Sequence, residues 1–399
     1  EIRPRDWSSD VCSSDLATTF NAGSLSVRST LIEAMDTFVV RYPISRTFRF
    51  LKSQPLSKAT RDTVLVRVTT TDGDTGWGQC VPSRMWSYET LETVRSTIDL
   101  YLRPALLGVD ALDREAIGRI MEREIAPGFT MGRPLCKAGI DLALFDLVGK
   151  VTKQPAHERW GRSFQPTVTL SWTIDVGSED ELESEVAEAN RRGYRHFNVK
   201  VGQDAKRDEV ISAALRKRVP DACIWVDANG GYDLATATAM SKKFAALGFV
   251  ALEQPLPANR LLDYQQLKRF GALPIVMDEG VISRVDLQEF HRLGLLDGVA
   301  MKVSRCGGFH ESRAMLEYIE QEGLLFMASG LTDPDLAFAA SLLLFGAYGL
   351  KLPAALNGPQ FLDESILRTP IDVIGDQARV PVGNGLGVDV CVERLAASS

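Results

Sequence analysis

After Gly161 the sequence settles into an alternation that few folds accommodate: short, nearly continuous apolar runs separated by helical stretches. The runs cover residues 168–172, 197–201, 223–226, 250–252, 275–277, 299–303, 324–328 and 352–356. Strands that are apolar on both faces belong to parallel sheets covered by helices, and eight in succession predict a closed (β/α) barrel. An open doubly wound sheet would want a glycine-rich turn after its first strand, and none is present. Residues 163–369 are therefore assigned to the barrel.

The chain before the barrel has a different character. Residues 37–42 and 63–71 are rich in β-branched side chains, and Asp72-Gly73-Asp74, ahead of Gly76-Trp77-Gly78, is a hairpin turn signal. Helical periodicity follows at 87–102, 113–124 and 134–150. This is a compact α+β unit. The weakly alternating segment 372–393, with Gly383-Asn384-Gly385-Leu386-Gly387, reads as a returning hairpin packed on that unit, so residues 30–162 and 370–399 are grouped together. Glu1–Leu16 holds a near-repeat, Trp7-Ser8-Ser9-Asp10-Val11 then Cys12-Ser13-Ser14-Asp15-Leu16, with no structural period, and residues 1–29 are set aside as an extraneous or disordered tail.

Composition narrows the partners. A net charge of −7 lacks the basic footprint of phosphate-backbone binding, so nucleic acid is not expected. The most apolar stretch, 336–350, is broken by Ser341, Gly346 and Gly349 and falls short of the roughly 18–20 residues that span a bilayer. It reads as a buried helix, with no membrane partner. Six scattered cysteines without a CxxC pair point to free thiols in a reducing compartment, hence a cytoplasmic protein.

Three successive runs end in a carboxylate: Asp227, Glu253 and Asp278, 26 and 25 residues apart. One β/α repeat between each places them side by side at the C-terminal mouth of the barrel. Converging carboxylates repel one another unless a cation lies between them. An all-oxygen set without histidine or cysteine suits a hard ion, Mg²⁺ with Mn²⁺ as a substitute. The competing reading is that these acids cap the helices that follow. Lys200 and Lys302 end the second and sixth runs, on either side of the triplet, where each could act as a base on one face of a substrate. Burial and a neighbouring metal charge should lower their pKa values. A structural ion pair and a Schiff-base lysine are the alternatives. Asn229 and Glu279, adjacent to ligands, are expected to support them. His157, His196, His291 and His310 have no ligand spacing and are left out of the metal site.

Taken together, Gly76-Trp77-Gly78, the segment Ile140-Asp141-Leu142-Ala143-Leu144-Phe145-Asp146-Leu147-Val148-Gly149-Lys150, Val226-Asp227-Ala228-Asn229, Glu253-Gln254-Pro255, Asp278-Glu279 and Met301-Lys302-Val303-Ser304-Arg305-Cys306-Gly307-Gly308 resemble the enolase superfamily, and within it the muconate-lactonizing-enzyme subgroup. The resemblance implies an α/β fold, a modified (β/α)₇β TIM-type barrel with an α+β capping domain. It also implies one Mg²⁺ on Asp227, Glu253 and Asp278, a small-molecule carboxylate substrate, an enediolate intermediate, Lys200 and Lys302 as the acid/base pair, and a homo-oligomer.

Three positions depart from the subgroup's pattern. Asn198 stands where a lysine is usual, two residues before Lys200. The seventh run ends in Ala328-Ser329 without the histidine that mandelate racemase-type members use. The eighth ends in Ala355-Leu356-Asn357, without the acids of dipeptide epimerases or cycloisomerases. Asn198, Ser329 and Asn357 thus become substrate-facing candidates, with Trp86 in the capping loop 82–88. A second loop, 46–57, carries Arg46, Arg49 and Lys52 and could receive another anionic group. These departures favour racemisation, epimerisation or dehydration over muconate cycloisomerisation, which stays the alternative. A catalytically quiet metal-binding homologue is the alternative of another class.

Overall fold

In the computed structural model, residues 29–46, 59–128 and 130–397 are described. Cys12, Arg49, Lys52 and almost all of the N-terminal tail lie outside them. The chain opens with an antiparallel sheet of β1 (Ile32–Pro43), β2 (Thr60–Thr70) and β3 (Thr75–Cys80), in that spatial order. Helix α1 (Leu91–Thr97) passes through a wider π turn, Ile98–Leu102, into α2 (Arg103–Leu106), followed by α3 (Arg114–Glu124) and α4 (Pro134–Val151). One continuous helix was expected over 87–102. Its first residues instead lead up to the Thr90 cap, and the π turn closes with the Arg103 N–H on the Ile98 carbonyl just before Pro104, whose ring clashes with an ordinary helical turn.

Helix α4 lies directly on β3 because the strand carries glycine where the two meet. A Cβ at Gly76 would overlap the Ala143 carbonyl, and one at Gly78 the Gly139 carbonyl. Between them, Trp77 donates its backbone N–H to Asp146 of α4 (2.9 Å). The Gly-Trp-Gly motif is thus a seat for a helix backbone.

Seven parallel strands follow in a single sheet ordered as in the sequence: β5 (Trp172–Ile174), β6 (Phe197–Lys200), β7 (Ile224–Asp227), β8 (Leu252–Glu253), β9 (Ile275–Met277), β10 (Gly298–Met301) and β11 (Leu325–Ala328). Residues 354 and 355 tie its two edges together: Ala354 bridges Leu170 and Ala355 bridges Ser329. The eighth expected strand is therefore only this pair of bridges, flanked by Pro353, which has no N–H to give a ladder. The first expected strand also divides. Residues of β4 (Thr167–Thr169) leave the barrel and pair with the C-terminal hairpin β12 (Val373–Ile374) and β13 (Gln377–Arg379), while Trp172–Ile174 enter it. That hairpin turns at Gly375, not at Gly383–Gly387; the glycine-rich segment instead seats Gly385 and Leu386 against Asp146 of α4. The predicted apolar helix is Asp335–Ala347, buried throughout, and no described helix is long and apolar enough to cross a membrane. The five described cysteines are free.

Three buried polar side chains fasten the first sheet to the barrel mouth. Tyr42 donates to Asp335 (2.7 Å), Gln79 accepts the Ala337 N–H (3.2 Å), and Arg61 donates to the carbonyls of Leu331, Pro82 and Val81. Each sits near a strand end of the sheet and reaches either the loop after β11 or the first turn of the helix Asp335–Ala347 that follows it, so the sheet covers that side of the mouth.

Candidate active site

Along each barrel strand, side chains two residues apart share a face. Trp225, Ala251, Val276, Ala300, Met327 and Ala355 form one buried interior cluster. Two residues further on stand Asp227, Glu253, Asp278, Lys302, Ser329 and Asn357, and Lys200 stands two beyond Asn198. A closed apolar floor therefore lies beneath a polar rim, except where Thr173 and Asn198 bring polar groups down to floor level.

The expected carboxylates converge. Oxygens of Asp227, Glu253 and Asp278 lie within 4.8 Å of one another, all buried, the one such cluster among the described residues. They do not cap helices: the helix after β7 is capped by Asp233 and the helix after β9 by Ser283. Glu253 accepts from the indole of Trp225 (2.9 Å) through Oε2, leaving Oε1 buried without a hydrogen bond; Asp278 Oδ2 is in the same condition. Burial and the charge of Asp227 push Glu253 up to about 8. Two inward oxygens without donors in an all-carboxylate set fit a divalent cation.

Lysines flank the set. Lys200 Nζ lies 2.5 Å from Asp227 Oδ2, 3.4 Å from Asn229 Oδ1 and 5.3 Å from the centroid of Trp86. Lys302 Nζ lies 2.5 Å from Asp278 Oδ1 and 3.8 Å from Glu253 Oε1. Because β6 and β10 stand on either side of β7–β9 in the sheet, the amines face the carboxylates from opposite flanks. Burial lowers the Lys200 pKa, but the charges of Asp227 and Glu253 together raise it above its ordinary value.

Arg305 is a residue the sequence reading quoted without giving it a role. Fully buried, it donates to the same Asp278 oxygen as Lys302. Burial works against the Asp278 charge, but Arg305 and Lys302 hold its carboxyl down at about 2. Glu279 is pushed up to about 8 by burial and Asp278. Gln254, in the left-handed region at φ 36°, accepts from the backbone N–H groups of Asp278 and Gly280, stitching one ligand loop to the next. Its neighbour Glu253 was the only sequence signal for that role.

Of the remaining candidates, Asn198 accepts from Thr173 (2.9 Å), Asn357 donates to Thr173 (3.3 Å), and Ser329 is buried at the seam closed by Ala355. Arg46 is taken up by Glu185 and Glu188 and does not await an anion.

Two family models cover most of the chain: "Enolase C-terminal domain-like" over residues 181–394, and "Mandelate racemase / muconate lactonizing enzyme, N-terminal domain" over residues 38–161. The chain belongs to this family of the enolase superfamily. It is an enzyme of that superfamily, with isomerases among its relatives. Muconate cycloisomerase 1 of Rhodococcus opacus is 28% identical over 377 residues, 91% of this chain and 97% of that protein. The N-succinyl-L-Arg/Lys racemase of Bacillus cereus is 26% identical over 367 residues, 91% and 96% of the two chains. The muconate lactonizing enzyme of Pseudomonas fluorescens, in complex with muconolactone, superposes with a TM-score of 0.85 at 26% identity, covering 93% of this chain and all of that one.

Proposed function

We propose that this enolase-superfamily enzyme removes the α-proton of a carboxylate substrate, with Mg²⁺ on Asp227, Glu253 and Asp278 and with Lys200 and Lys302 as acid and base. The observation that carries the reading is the placement of two buried amines on opposite flanks of the carboxylate cluster, each 2.5 Å from one of its outer members. A divalent cation held by these carboxylates would supply positive charge to the substrate carboxylate and would offset the field that raises the Lys200 pKa. Asp227 and Asp278 hold the two amines in place. Burial favours the neutral amine needed for a base. Asn229 steadies Lys200 from the side, and Trp86 covers its outer face. With one lysine taking the proton and the other returning it on the opposite face, the outcome is racemisation or epimerisation. With a leaving group on the β-carbon, a single base gives dehydration.

A muconate-type cycloisomerase is the second reading, favoured by similarity to muconate cycloisomerase 1 along 91% of the chain. Asn198 and Asn357 argue against it, since both replace charged residues of that pattern with neutral amides. Incubating a panel of carboxylates in D₂O with Mg²⁺ and following the α-proton by NMR tests the proposal. Exchange that disappears in Lys200→Ala and Lys302→Ala supports it; absence of exchange across the panel sinks it.

A further inference from the structure

Trp86 reaches Lys200 from a seat that is shared between the first part of the chain and the barrel. Its ring centroid lies 5.3 Å from Lys200 Nζ, and the indole packs on a buried cluster of Val81, Leu135, Leu331 and Ala337. Val81 follows β3 and Leu135 lies in the first turn of α4, whereas Leu331 and Ala337 come from the loop and helix after β11. The two halves of the seat are far apart in the sequence, so their relative position needs a non-covalent tie.

Buried Arg61 on β2 supplies one. Its Nε donates to the Leu331 carbonyl (2.9 Å), Nη1 to that of Pro82 (2.7 Å) and Nη2 to that of Val81 (3.1 Å). All three nitrogens of one rigid, planar fork are engaged by backbone oxygens, which fixes those carbonyls relative to one another. Pro82 leads directly into the turn that presents Trp86, where the N–H groups of Trp86 and Ser87 both close on the Ser83 carbonyl (3.0 and 2.8 Å). On the barrel side, Asp333 accepts the Leu331 N–H and the hydroxyl of Ser304, two residues beyond Lys302 (3.2 Å each). Burial lowers the Arg61 guanidinium to about 10 against the charges of Asp333 and Asp62, so it stays a cation. A buried cation is a costly way to join two loops, and what it adds over apolar packing is fixed geometry.

We propose that Arg61 is a positioning residue for the reaction: it holds the seat of Trp86, and through it the indole, over Lys200. It acts through the turn from Pro82 to Ser87. An indole at this distance attracts the ammonium through its π face and limits the directions the amine can take. A loosened seat lets indole and amine drift apart, and the amine loses the orientation that proton transfer needs. This inference rests on the α-proton abstraction proposed above and adds a residue through which that reaction is held in register.

The test measures α-proton exchange of a carboxylate panel in D₂O with Mg²⁺, together with Trp86 emission. The proteins are wild type, Arg61→Lys, Arg61→Gln, Trp86→Ala and the two double variants, each checked for folding by circular dichroism. Arg61→Lys keeps the charge facing Asp333 but replaces the planar fork with one rotating ammonium. Arg61→Gln drops the charge, keeps a hydrogen-bonding end, and serves should the lysine variant not fold. The Trp86 signal is the difference between each protein and its Trp86→Ala counterpart. Arg61→Lys should lower exchange by about 10- to 100-fold, the cost of a group displaced by about 1 Å, and shift Trp86 emission to longer wavelength. With Trp86 already removed, the same substitution should have little further effect on exchange. Equal losses with and without Trp86, an unaltered Trp86 emission, or wild-type exchange in Trp86→Ala would overturn the assignment. A shifted Trp86 emission, with no exchange of any panel member by wild type, would keep Arg61 as the holder of the indole and overturn the proton-abstraction reading.

Discussion

Replacing Glu89 by glutamine should alter the pH dependence of stability in a defined direction. The side chain is fully buried and accepts the backbone N–H groups of Leu135 (2.7 Å) and Cys136 (3.0 Å) at the start of α4. Burial pushes its carboxyl up from 4.5 to about 7, with those two N–H groups and the nearby Arg133 and Lys137 limiting the rise. Between these values the native state holds a proton that the unfolded chain has released, so stability falls as pH rises through the window. A displacement of that size corresponds to about 3 kcal/mol, fully present below about pH 4.5 and gone above about pH 7. Glutamine cannot ionise and keeps one acceptor for the helix. The wild-type advantage over Glu89→Gln, read from urea unfolding followed by circular dichroism, should therefore shrink by about 3 kcal/mol between about pH 4.5 and 8. Parallel pH profiles for the two proteins, or a wild-type advantage that grows with pH, would refute the reasoning.

Three further outcomes are expected. Lys200→Ala and Lys302→Ala, each verified as folded by circular dichroism, should lower α-proton exchange by about 10²- to 10⁴-fold, the usual worth of a positioned acid or base. Glu253→Gln should weaken Mg²⁺ or Mn²⁺ binding at least tenfold by isothermal titration calorimetry, taking account of the about 10- to 100-fold that even ligand-supporting residues are worth. Arg305→Met removes a buried cation from Asp278 and should cost about 3 kcal/mol in urea unfolding, with Arg305→Lys recovering part of it.

The carboxylates and lysines could be read from the sequence because each ends a short apolar strand, and the strand-to-strand repeat converts spacing into position around the mouth. The same reasoning fails where a partner is remote. Val168, Leu170 and Trp172 look like one strand, yet the partner of Thr167–Thr169 is Gln377–Arg379, about two hundred residues away, and only that pairing reveals the break at Leu170. The run at 352–356 has the composition of a strand but forms only two bridges beside Pro353. Arg305 escaped notice because a cation three residues after Lys302 looks like an ordinary loop charge until Asp278 folds against it. The opposition of donor and acceptor in Asn198 and Asn357 depends on Thr173, a residue with no distinguishing mark in the sequence.

The indole of Trp225 donates directly to Glu253 Oε2 from a position sealed off from water. Indole emission responds to the electric field across the ring, and a charge arriving among the three carboxylates changes that field at a distance of one hydrogen bond. The enzyme thus carries its own optical gauge for occupancy of the cluster, separable from its other tryptophans by comparison with Trp225→Phe, and an ion titration can be followed with no substrate in the cuvette.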